Sequence, residues 1–458
     1  MMHLKYQRAM LIANAILVGA TPIRAQDPPP PWRNAANPAA VKSSEKPVAN
    51  AAWWGHNDED ATDAVQAAIN SGAPRVIIPF DGKPWIVRPI KLRSNLDLVL
   101  EPGVLLLAKR GEFRGKNDSL LSITDAENVT VRGYGATLRM WKRDYQREPY
   151  EKAEWRMGIR MHGARNVLIE GLRIESSGGD GVYISGTKNL PWSEDVVIRD
   201  VVCDDHHRQG ISVISAENLL VENCVLSNTR GTAPQAGIDF EPNHPHERLK
   251  NCVVRNTVME NNAGNQILVY LKPLDATSED VSIRFENCHV REGSPGQTRA
   301  ELADRTGFGA AGMCVGAATD QGPKGAITFV GCTSENTGQA GARVYDLSAD
   351  SVRVEFIRTT WAHPWADPAR DPESAAPAVV IHARRPELVT RTGGILFEDC
   401  AVITDVARPA IAFEDSGETD GLFDVTGAIY YRGPGAPEAN LGEKLGNVTL
   451  AALPADLE

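Results

Sequence analysis

The sequence predicts an all-β solenoid, a parallel β-helix whose N-terminal end is closed by one short helix. Three observations carry this: a strand phrase repeated at near-constant spacing, a second strand phrase between repeats, and cysteines recurring at one place in the repeat. Four phrases open on a small or polar residue and then alternate: Gly181 to Ser185, Gly210 to Ile214, Gly237 to Glu241 and Gln266 to Tyr270. Their starts are 29, 27 and 29 residues apart. Between them run Val196 to Asp200, Leu219 to Asn223 and Cys252 to Asn256, closed by polar turns at Asp204-Asp205, Ser227-Asn228 and Glu260-Asn261-Asn262. A doubly wound sheet would need a crossover helix in every unit, and no long amphipathic stretch separates these phrases. In a solenoid each rung buries its inward residues on its neighbours, so like stacks on like.

The elements follow in chain order. Lys5 and Arg8 flank an apolar run from Ala9 to Ala20, and Ala25 offers a cleavage point, so residues 1–25 are expected to be an export signal. That run is shorter than the roughly 20 residues needed to span a bilayer; the alternative is a core-buried first helix. Residues 26–56, with Pro28 to Pro31, read as a Pro- and Ala-rich tether. Residues 57–450 are assigned to the β-helix, in a secreted or periplasmic protein without a membrane span. Asp60 to Ile69 carries early acidic residues and is followed by Ser71-Gly72, the pattern of a short capped helix able to plug the coil. Strand-like runs follow at Arg75 to Pro79 and Leu96 to Leu100, with further rungs at Asn128 to Val131, Asn166 to Ile169, Ala326 to Phe329 and Gly394 to Phe397. Glu292 to Asp304 and Trp361 to Pro377 read as loops or insertions. The cysteines number seven, so they cannot all pair within one chain. Cys224, Cys288, Cys332 and Cys400 each follow a turn-type residue at one rung position, shared with Val201 and Thr257, which predicts a ladder of buried thiols.

Strand alternation then locates a face. With Val182, Ile184, Ile211, Val213, Ile238, Phe240, Ile267 and Val269 inward, the outward set is Tyr183, Ser185, Ser212, Ile214, Asp239, Glu241, Leu268 and Tyr270. Arg160 and His162 join it from the preceding rung. Asp239 and Glu241 are the leading catalytic candidates, since two carboxylates on one face perturb each other until one holds a proton near neutral pH. Their backbone spacing falls near the roughly 6.5–9.5 Å of inverting glycosidases; the bland alternative is a solvated polar strand. The loop Asp204-Asp205-His206-His207-Arg208-Gln209 supplies a second constellation, expected at the lip of the same face one rung earlier. There Asp204, Asp205, His206 and His207 are candidates for proton transfer, and Arg208 and Gln209 for substrate contact. Tyr183, Tyr270, Lys272 and His244 are further substrate contacts, while Asp180 contacts substrate or stabilises its turn. His244 and His246 form only a weak metal pair, and no metal site is assigned. Asp204, Asp205, Asp239 and Glu241 could hold Ca²⁺ if the protein were a lyase. A net charge of −11 argues against nucleic acid as partner, and no P-loop, Rossmann fingerprint or nucleophile elbow is present.

The stretch from Asp58 to Ile69, followed by Arg93 to Gly103, resembles the N-terminal region of the pectate-lyase and polygalacturonase superfamily. The rungs from about 120 to 290 look like the right-handed parallel β-helix repeats of that superfamily. The resemblance implies a right-handed coil and a polysaccharide substrate, but the superfamily embraces hydrolases, lyases and uronan epimerases. In polygalacturonase-like enzymes acidic residues on successive rungs form the catalytic set, and Asp180, Asp204 or Asp205, and Asp239 resemble such a series. The leading expectation is therefore a glycoside hydrolase. A lyase or C5-epimerase using Arg160 or Arg208 against a uronate, with Tyr270 or Lys272 as a base, is the second. A non-catalytic glycan-binding solenoid is the third.

Overall fold

The computed structural model describes residues 48–455 except 295, 296, 299, 303, 304, 306, 368 and 370–375. The expected export signal, and the tether as far as residue 47, lie outside the described residues. From Val48 onward the chain is already in the fold: Val48–Asn50 pairs in parallel with Arg75–Ile78, so the tether ends earlier than the composition suggested. At the other end the last strand runs to Pro454, slightly beyond the expected limit of 450. Trp361, assigned to a loop, instead sits fully buried in the short strand Thr360–Ala362.

The architecture is a right-handed parallel β-helix, and every strand pair within it is parallel. Each full rung contributes three strands. One rung, for example, comprises Val182–Ser185, Ser193–Arg199 and Val202–Asp204. The next comprises Ile211–Val213, Ala216–Glu222 and Val225–Ser227. Pairing is in register from rung to rung, so Val182 lies beside Ile211, Ile211 beside Ile238 and Ile238 beside Ile267. The helix α1, Thr62–Asn70, buries Ala64, Val65, Ala68 and Ile69 in the first rungs, as its apolar spacing dictates. The Asp60 carboxylate accepts from the backbone N–H of Thr62 at 3.0 Å and so supports its first turn.

The bends between strands are made by residues in the left-handed region, where Asn, Asp and Gly are least strained. Asn223 and Asn228 have φ of +55° and +58° at the corners of one rung, and Asn256 and Asn261 have +50° and +60° in the next, while Asn218 and Asn251 take +56° and +50° within their strands. Several of these amides also bond along the stack: Asn128 donates to Asn95 at 2.9 Å, Asn166 to Asn128 at 2.8 Å and Asn251 to Asn218 at 2.8 Å.

Like stacks on like inside the coil. Phe285, Phe329, Phe356 and Phe397 form a column whose ring centroids are 4.7, 5.0 and 5.5 Å apart. The thiol ladder occupies the predicted position. Backbone hydrogen bonds step from Val201 to Cys224, Thr257, Cys288, Cys332, Thr359 and Cys400 through the residue that follows each of them. All seven cysteines are free and buried. No helix among the described residues is long and apolar enough to cross a membrane.

Candidate active site

Glycines at the start of successive strands let the chain turn tightly onto one face. A Cβ on Gly181 would stand 2.5 Å from His206 Nε2 and 2.6 Å from the Gly210 carbonyl oxygen, so no larger residue fits that corner unchanged. The strands that follow set the outward rows in register: Arg160 beside Tyr183, Tyr183 beside Ser212, Ser212 beside Asp239, and Asp239 beside Leu268. Although they face away from the core, Ser212 is 1% exposed, Asp239 0% and Leu268 7%, so they floor a recess.

Three carboxyls and one guanidinium meet there. Arg208 Nη2 donates to Glu241 Oε2 at 2.8 Å, and Arg208 Nη1 lies 3.5 Å from Asp180 Oδ2. Gln209 Nε2 donates to Asp239 Oδ2 at 2.7 Å, while Gln209 Oε1 accepts from the backbone N–H of Ala236 at 2.8 Å, which fixes the amide. Asp239 carries its proton far above the usual carboxylate range, first because burial disfavours the charge and then because Glu241 stands beside it. Glu241, the next residue but one along the chain, is therefore the neighbour that most reinforces the effect of burial on Asp239. Oδ2 is taken by Gln209, and Oδ1 is buried without a hydrogen-bond partner. Asp180 is likewise fully buried; burial raises it to about 7 against the pull of Arg208 and of the Ser212 hydroxyl. Tyr183 sits half-buried beside Asp180, and burial holds its hydroxyl proton more tightly than usual.

The remaining candidates divide sharply. Arg160 and His162 lie on the same face, joined by a 3.0 Å hydrogen bond, three rungs towards the N-terminus from Asp239. Tyr270 is one rung beyond Glu241, within reach of Arg385, and Lys272 is exposed just past it. His244 is exposed on the neighbouring loop and stacks on His246 with centroids 5.4 Å apart. The loop 204–209, expected at the lip as one unit, is instead split. Asp204 ends a strand on another face, where it pairs with Arg173 and accepts from Ser227 at 2.9 Å. Asp205 has φ of +58° and turns away to Lys142 Nζ at 2.7 Å and Ser176 Oγ at 2.8 Å. His206 is fully buried, its Nδ1 2.8 Å from Ser177 Oγ, and burial depresses it to about 3. His207 is buried too, its Nδ1 packed against Gly231. Only Arg208 and Gln209 reach the carboxyls. The left-handed corner at Asp205 is the cause, since it rotates every side chain before it off the face that follows. It also separates Asp204 and Asp205 from Asp239 and Glu241, so these four form no single oxygen cage for Ca²⁺. Among the described residues no three His, Cys, Asp or Glu side chains converge as a metal set.

One contributor gave no signal in the sequence. Glu154, on the loop before the Ile159 strand, lies within electrostatic reach of Asp180, His207 and Arg208 and accepts from Thr232 Oγ1 at 3.1 Å. No repeat pattern includes it. Neighbouring Arg156, fully buried, fastens that loop by donating to the carbonyls of Phe113 at 2.7 Å, Arg114 at 3.1 Å and Glu151 at 2.5 Å.

Comparison with known proteins agrees with this geometry at the level of fold. The family described as right handed beta helix region matches residues 152–356. The SPbeta prophage-derived uncharacterized protein YorA of Bacillus subtilis (strain 168) is 31% identical over 192 residues, covering 38% of this chain and 32% of that protein. The chain thus spans about a third of the length of the curated relatives it matches, 32% in both cases. Among solved structures, the A-module of the Azotobacter vinelandii mannuronan C-5 epimerase AlgE6 superposes with a TM-score of 0.62 at 16% identity, over 90% of this chain and 100% of that one. The Streptococcus pneumoniae surface protein and adhesin PfbA gives 0.55 at 12% identity, over 88% and 100%.

Proposed function

We propose that this right-handed parallel β-helix is an exported enzyme that hydrolyses a polysaccharide at the Asp180, Arg208, Asp239 and Glu241 cluster. The observation that carries the reading is the clustering of fully buried Asp239 and Asp180 with partly exposed Glu241 around Arg208, in which burial and Glu241 keep Asp239 protonated. Glycoside hydrolysis needs a carboxylic acid that stays protonated near neutral pH to protonate the departing oxygen, and a second carboxylate to activate water. In this reading Asp239 holds the acid's proton, the more exposed Glu241 beside it passes that proton to the departing oxygen, and Asp180 across Arg208 acts as base. Gln209 positions Asp239 rather than touching the sugar. Asp204, Asp205, His206 and His207 have no part, given where they point.

The test is turnover on a panel of neutral and uronic-acid polysaccharides, following new reducing ends and the absorbance of unsaturated uronides. The double variant Asp239→Asn with Glu241→Gln should lower reducing-end release by about 10²- to 10⁴-fold, the usual worth of general acid–base catalysis. Unsaturated product would instead favour β-elimination, the reading to which Tyr183 beside Asp180, and the likeness to an epimerase module, lend support. Binding without any product would leave a glycan-binding solenoid, as the likeness to an adhesin allows.

A further inference from the structure

The outward row that passes through Asp239 continues past Leu268 and Cys314 to Arg343, three rungs away and so about 14 Å at the usual strand spacing. Its charge reverses along that distance. At Asp239 three carboxyls surround the one guanidinium of Arg208, which is already bonded to Glu241. Leu268 and Cys314 are apolar and nearly buried. Beyond them Arg343, Arg384 and Arg385 stand with His382, whose ring is 3.9 Å from Glu414, and with the Asp346 carboxylate. That carboxylate is buried and taken up by Arg385 Nε at 2.8 Å, Arg384 Nη2 at 3.3 Å and the Arg384 backbone N–H at 2.7 Å. Arg343 has no carboxylate partner among the described residues; Gln339 accepts one of its N–H groups at 2.9 Å, and its buried Nε has no partner. The Arg384 guanidinium lies 4.6 Å from the ring centre of Tyr345. That ring is laid across Gly316, where a Cβ would come within 2.4 Å of it. In the register of the row Cys314 lies between Asp239 and Arg343, so the two charge centres share one face. Three rungs in the opposite direction the same row holds Arg160, bonded only to His162 among the described residues.

We infer that the groove takes an acidic heteropolysaccharide, with an uncharged sugar at the Asp239 and Glu241 pair and an anionic sugar seated on Arg343 and Arg384. The inference rests on reading this face as the glycan site. A uronate at the centre would face three carboxyls with no free cation, whereas Arg343, without a carboxylate partner among the described residues, presents a guanidinium fork suited to a carboxylate, with Arg384 adding positive charge beside it. The substrate is therefore a polymer whose acidic groups are spaced along the chain, not one acidic at every residue.

Affinity electrophoresis of the full chain tests this, in gels containing gellan, hyaluronan or polygalacturonate, each beside its carboxyl-reduced counterpart. Gellan or hyaluronan should retard the wild type with an apparent Kd at least tenfold below that of the reduced polymer. The double variant Arg343→Gln with Arg384→Gln should lose that difference, and Arg284→Gln, on another face, should keep it. Thermal unfolding checks that each variant is folded. Equal binding of reduced polymers, undiminished binding by the double variant, tighter binding of polygalacturonate, or no binding to any acidic polymer would each overturn the inference. Asp239→Asn with Glu241→Gln should still bind in these gels, so loss of turnover and loss of the anionic subsite are read separately.

Discussion

Asp180 is an ionisable group buried so deeply that Arg208 only partly compensates its charge, and that has a pH signature. Its pKa rises from 3.8 to about 7 on folding. Below pH 3.8 both folded and unfolded chains hold the proton, and its burial contributes no penalty. As pH climbs towards 7 the unfolded chain releases the proton while the folded one keeps it, so stability falls across that window and levels off above it. Each unit of separation is worth about 1.4 kcal/mol. Asp180→Asn should flatten this slope, seen as a smaller drop in Tm between pH 4 and pH 7; an unchanged slope would remove Asp180 from the account. Gln209 supports a second prediction at this scale. Gln209→Leu removes the donor to Asp239 Oδ2, and turnover should fall with a displaced pH profile, whereas a purely structural role would lower activity without moving it.

At the level of strands and turns the energy is in the columns. Phe329→Ala would open a cavity between Phe285 and Phe356 and should cost about 3–5 kcal/mol in denaturant unfolding. A loss below 1 kcal/mol would mean that the column closes around the gap. These columns also mark what the sequence makes legible. Alternation from Gly181, Gly210, Gly237 and Gln266 reads directly as parity, which is why Asp239, Glu241, Tyr183 and Arg160 fall on one face in both sequence and structure. The thiol position is readable because Cys224, Cys288, Cys332 and Cys400 each follow a corner residue. A corner's rotation is not readable from spacing: Asp204 and Arg208 are four residues apart, yet φ of +58° at Asp205 sends them to different faces. Loops escape for another reason. Glu154 and Arg384 reach the groove from connections outside the repeat, so no period announces them.

Across the molecule, seven buried thiols without a disulfide make a coil whose stability is independent of reductant. Titration with a thiol reagent should detect fewer than one thiol per folded chain and all seven in denaturant, with unfolding midpoints identical with and without reductant. In-register pairing has one more consequence, because the rungs act as the graduations of a calliper. Residues 313–341 form a single turn of the coil between Leu268 and Arg343. Duplicating that segment would add one graduation, about 4.8 Å, between the carboxyl pair and the arginines while leaving each jaw intact. A polymer gripped at both points would then fit only if its own repeat were longer by the same step.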